Sequence, residues 1–130
     1  MDERINEVVR CASKVFNILG AGFTWEIYRN ALFVEMDDKK LQYEKGKTYP
    51  INYKKKLVGE FFADIVVDEN LIVQVMKSET INSEDVMRMR NFLRLSGKES
   101  GIILNFGQRL MFEVFRLEKN DSNQDDVFKS

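Results

Sequence analysis

The sequence predicts an α/β (α+β) domain, a mixed sheet flanked by helices in the order ααβββαββ. Three observations carry this. Apolar residues recur every three or four positions in two N-terminal stretches, the period shortens to two after Glu44, and a third helical stretch precedes the last two strand-like runs. In the first helix Ile5, Val8, Val9, Ala12, Val15, Phe16 and Leu19 form one stripe, with Arg4, Glu7 and Lys14 off it. Gly20-Ala21-Gly22 ends it. Thr24 is placed to cap a second helix to about Asp38, with Ile27, Tyr28, Ala31, Leu32 and Met36 as its apolar face. TYPINY, a KKK turn, VGEFFADIVV, a DEN turn and LIVQVM read as a three-stranded meander. Ser83 as N-cap, Glu84 and Asp85 in the first turn, Arg94 and Lys98 towards the end and Gly97 as stop delimit the third helix. GIILNFG and LMFEVFRL close the sheet across a Gly-Gln-Arg turn. Residues 1–117 then form one domain, and the polar run EKNDSNQDDVFKS, 118–130, is expected to be a disordered tail.

Composition narrows the chemistry. With 130 residues, 44% hydrophobic and 32% charged, the chain has enough apolar material for one continuous core. No apolar run approaches the ~18 residues of a membrane span, and MDERINEVVR lacks the apolar segment of a secretory signal. The expected setting is therefore intracellular, cytoplasmic by default, with no membrane partner. Cys11 is alone, so no intrachain disulfide forms, and the absence of histidine excludes His-based triads and the usual zinc sites. A net charge of −1 gives no global basic footprint. Locally, Lys39, Lys40, Lys45, Lys47, Lys54, Lys55 and Lys56 are dense, with Glu44 the one acid among residues 39 to 56. They form a candidate nucleic-acid interface, against which stands the tendency of turns and strand edges to collect lysine for solubility.

Four stretches together resemble one known family. GFTWEIYRNAL at 22–32, INYKKKLVGEFFADIVVDENLIV at 51–73, NFLRLSG at 91–97 and GIILNFG at 101–107 are similar to the GxxExxY proteins of the PD-(D/E)XK nuclease-like superfamily. The resemblance implies a restriction-endonuclease-like core. It also implies a site in which an Asp, a Glu-x-Lys strand, a helical Glu and a Gln-x-x-x-Tyr helix hold a divalent metal and hydrolyse phosphodiesters. Such chemistry needs hard oxygen ligands for magnesium and a cation for the attacking water.

Here the sequence departs from the pattern. Alignment on Gly22 and Tyr28 puts Trp25 at the glutamate, with Glu26 about 100° further round the helix. Gln74 and Met76 stand at the acid and lysine of Glu-x-Lys, Arg88 and Phe92 at Gln-x-x-x-Tyr, and Asp64 alone is unchanged. A thioether neither binds magnesium nor carries charge. Lys77 is a rescue candidate, but a one-residue offset turns it to the opposite strand face unless the strand bulges or ends there. Glu60, two pleats from Asp64, is a second candidate acid or the partner of a lysine.

The reading is a catalytically inactive domain with no cofactor, retained as a binding or scaffold protein for a protein partner or a second copy of itself. The alternatives are a divergent Mg- or Mn-dependent nuclease using Asp64, Gln74, Lys77 and Glu26 or Glu60, or a non-catalytic nucleic-acid binder. Two structural expectations follow: Trp25 and Met76 pack together and fill the former site, and Arg88 pairs with Asp64 in place of the ion.

Overall fold

A computed structural model describes residues 3–119. Helix α1 spans Glu3–Leu19 and α2 Trp25–Asp38; strands β1, Tyr43–Tyr53, β2, Lys56–Val67, and β3, Leu71–Met76, follow. Helix α3 spans Ser83–Ser96, and β4, Ser100–Asn105, and β5, Glu113–Glu118, complete the chain in the predicted order. The five strands lie in the sheet as β1-β2-β3-β4-β5, antiparallel except for the β3–β4 pair, which the α3 crossover makes parallel. No helix among the described residues is long and apolar enough to cross a membrane.

Two cores lie on the two sides of the sheet. The larger joins the predicted α1 stripe, with Cys11 added, to Tyr28, Leu32 and Met36 of α2 and to Ile65, Val67, Leu71, Val73, Ile102 and Leu104. The smaller packs Val66, Ile72, Ile103 and Leu117 against Met89 and Leu93 of α3. Ile27, expected on the apolar face of α2, is instead 42% exposed. Its place is one step round from Tyr28, which is fully buried and stacks flat on Phe106 at 4.6 Å. The Tyr28 hydroxyl donates to Gly20 O at 2.6 Å and accepts from Phe23 N at 3.3 Å, so one side chain holds the whole α1–α2 connection.

Boundaries move in three places. Asn82, not Ser83, caps α3: its side chain accepts from Asp85 N while the Asp85 carboxylate accepts from Asn82 N, a reciprocal capping box. The turn expected at Gly-Gln-Arg extends over residues 106–112, where Leu110 is 94% exposed. β5 includes Glu118, and Lys119 N donates to Glu99 O, so the fold continues past residue 117; the remainder of the expected tail lies outside the described residues.

β1 is an edge strand of 11 residues. It carries Lys45 and Lys47, a proline at 50 and a register irregularity at Ile51/Asn52, all of which oppose pairing with another chain. Its distal turn, Lys54-Lys55, has both residues at positive φ, the twist a two-residue hairpin requires.

Beyond β3 the chain is locked by Asn105, which is fully buried. Its oxygen accepts from Ser78 N and Gly107 N, and its amide donates to Ser78 O and to Glu113 Oε1. Glu113 also accepts from Ile81 N and Thr80 Oγ1. Burial raises its pKa, but these hydrogen bonds outweigh that and leave the carboxyl below its ordinary value. Gly107 lies so close that a Cβ there would collide with the Ser78 carbonyl, whereas a Cβ on Gly59 meets open space. We expect Gly107→Ala to lower stability by about 1–3 kcal/mol, the usual cost of overpacking, and Gly59→Ala to be nearly neutral. Urea denaturation of the two variants checks this.

Candidate functional site

The site begins where β2 and β3 part. Their register runs Val67↔Leu71, Val66↔Ile72 and Ile65↔Val73 and stops there. On one strand parity, Ile65 and Val67 belong to the α1/α2 core while Ala63 belongs to the α3 core and Phe61 stacks on Phe92 of α3. β2 therefore rolls over at Asp64. Gly46 stands opposite the roll at φ +69, with the Phe62 ring where its Cβ would be.

Parting leaves backbone groups without a ladder, and side chains take them over. Gln74 Oε1 accepts from Asp64 N at 2.7 Å, and Gln74 Nε2 donates to Phe62 O at 3.3 Å. Asp64 Oδ2 accepts from Val75 N at 2.8 Å. The two residues thus form a side-chain joint between the strands. Burial raises the Asp64 pKa, opposed by the Val75 amide and by the field of Arg29, and the net shift is upward.

The expected pairing of Arg88 with Asp64 is incorrect. Arg88 bonds Asp85 one turn earlier on α3, at 3.2 Å, with over half of its side chain in solvent. The charge that acts on Asp64 is Arg29 of α2, whose guanidinium lies 4.8 Å from the Trp25 ring centroid. Helical periodicity carries no sign of this effect, since it joins a residue of α2 to one of β2.

Nor do Trp25 and Met76 pack together. Met76 joins the α3 core, while Trp25 stands on α2 in the other layer, half-buried under Arg29. The former site is also not filled. A cavity of about 200 Å³ remains, lined by Gln74, Val75, Met76, Arg88, Met89 and Phe92 among others. It brings together four of the six substituted or retained motif positions and leaves out Trp25 and Asp64.

The rescue candidates stay apart from it. β3 ends at Met76, and Lys77 is exposed just beyond, outside the cavity lining. Glu26 is exposed on α2. Glu60 is exposed opposite Pro50 on the distal hairpin and has no ion-pair partner among the described residues, so the expected lysine partner is not there. The lysines do not form one patch: Lys39 and Lys40 close α2, Lys45 and Lys47 lie on β1, and Lys54–Lys56 lie at the far tip. At ~3.3 Å per residue, β1 spreads them over roughly 30 Å. Lys47 is partly neutralised by Glu44 at 3.6 Å.

A mixed sheet with one parallel pair, helices on both sides and a strand split at a half-buried acid defines a restriction-endonuclease-like core. The chain belongs to the PD-(D/E)XK nuclease superfamily, which it matches over residues 2–117. No curated protein matches it. The crystal structure of SSO0001 superposes with a TM-score of 0.54 at 14% identity, covering 81% of this chain and 59% of that one. LHK-Exo, an alkaline exonuclease from Laribacter hongkongensis, superposes in its complex with dAMP with a TM-score of 0.50 at 10% identity, covering 93% and 85%. At these identities the likeness is one of fold.

The superfamily implies a divalent metal, and the residues present do not fit one. Gln74 Oε1 and Asp64 Oδ2 are already committed to backbone amides, and Met76 offers only a thioether. Among the described residues no three acids, cysteines or histidines are grouped to hold an ion.

The joint yields a test. A carboxyl raised on folding contributes stability below its unfolded pKa, about 4, and loses it as pH rises through its folded value. Asp64→Asn keeps an acceptor for Val75 N and removes the charge, so it should equal or exceed the parent in stability at pH 7, the difference closing in acid. Asp64→Ala leaves Val75 N orphaned and should cost about 1–3 kcal/mol. Equal losses in both variants at pH 7 would refute the joint.

Proposed function

We propose that this chain is a GxxExxY-type domain whose catalytic centre has become a structural joint, and that it works by binding rather than by cutting phosphodiesters. The observation that carries this is the Gln74 amide, which accepts from Asp64 N and donates to Phe62 O. A glutamate there lacks the donor, so the substitution serves the sheet at the expense of metal binding. The domain that ends with β5 is the binding unit, intracellular, with a protein partner or a second copy of the chain as its target. In support of such a partner, the apolar side chains of Tyr53, Leu57, Val58 and Phe62 are 53% to 67% exposed on the β1–β2 hairpin, outside both cores. The spread of the lysines gives the nucleic-acid alternative less support.

The purified protein should leave single- and double-stranded DNA and RNA intact with magnesium or manganese. Cleavage that disappears in Asp64→Ala would overturn the proposal in favour of a divergent nuclease.

A further inference from the structure

The cavity under α3 is unused by the joint. Its walls are Val75, Met76, Met89, Phe92 and Ile103, with Gln74 at one side and Asp85 and Arg88 from the first turns of α3 completing it. Gln74 turns its polar end to β2, where its oxygen accepts one hydrogen bond and its amide donates one, leaving a second amide N–H uncommitted. Phe92 is fixed by flat stacking on Phe61 at 4.0 Å, so one wall is a braced aromatic ring. Size sets the first limit. An apolar cavity of about 150 Å³ takes one benzene ring, so this cleft of about 200 Å³, open to solvent on one side, has room for a ring with one short substituent.

Charge sets the second. Asp85 and Arg88 both line the space, but Asp85 is consumed: one oxygen accepts from Asn82 N and the other from Arg88 Nη1 at 3.2 Å. That bond uses one of the five guanidinium donors and holds Arg88 at the cavity with the rest uncommitted.

We propose that this cavity is a binding site for a small aryl monocarboxylate, the ring against Met76, Met89 and Phe92 and the carboxylate on Arg88. The site rests on the non-catalytic reading above, since a working metal centre would occupy the same ground. Phenylacetate is the probe, with phenylacetamide and phenethylamine as neutral and cationic controls. In the full chain labelled with methyl-¹³C methionine, phenylacetate should shift the Met76 and Met89 methyl signals saturably and leave Met36 and Met111 unmoved. The amide should bind about tenfold more weakly, the share of a charge-assisted hydrogen bond, and the amine should not bind. Arg88→Gln should abolish the preference for acid over amide while leaving amide binding intact. Met76→Phe should remove both by filling the space. Absence of saturable shifts, or an acid preference that survives in Arg88→Gln, would overturn the site. Nuclease turnover would overturn the non-catalytic reading without moving these signals, so the two failures are distinguishable.

Discussion

The structure turns on the exchange of hydrogen bonds at Asp64 and Gln74. β2 has to serve two cores, and it does so by rolling over at Asp64, which separates it from β3 and strips partners from Phe62 O, Asp64 N and Val75 N. Asp64 N and Val75 N are part-buried, and either one left unpaired would cost about 1–3 kcal/mol. Two side chains supply all three partners. The distal hairpin, the stacking of Tyr49 on Phe61 and of Phe61 on Phe92, and the cavity under α3 all lie beyond this roll and owe their positions to it.

Other motif residues have similar structural employment. Tyr28, the tyrosine of the GxxExxY-like stretch, ties the α1–α2 connection by two hydrogen bonds and stacks on Phe106. Asn105 and Gly107, within GIILNFG, lock the segment after β3 through Ser78 and Glu113. Loss of the chemical groups therefore leaves these parts of the pattern under full structural demand.

The sequence made element order legible because periodicity is a local property: the α1 stripe and the β3 run are buried as their patterns require. The identities of the substituted site positions were also legible, since they follow from motif spacing. What they touch was not. Motif spacing names Arg88 but not its partner: α3 begins just after its Asn82 cap with Asp85 fixed in that cap, and that acid claims Arg88 in place of Asp64. The roll of β2 left no periodic signature, because Phe61, Ala63, Ile65 and Val67 are apolar at every second position while changing layers. The Asn105–Glu113 network joins residues on two strands and a loop, a relation that no window along the chain contains.

The guarded edge at β1 bears on how this molecule can associate at all. With lysines, a proline and an irregular register along the exposed backbone, partners are denied the main-chain template that lets sheets grow regardless of sequence. Recognition on that side is thereby left to side chains. An interface made of side chains can be strengthened, weakened or redirected by single substitutions, and its polar part responds to salt, so the specificity of this domain is open to gradual adjustment where a strand-addition interface would be nearly indifferent.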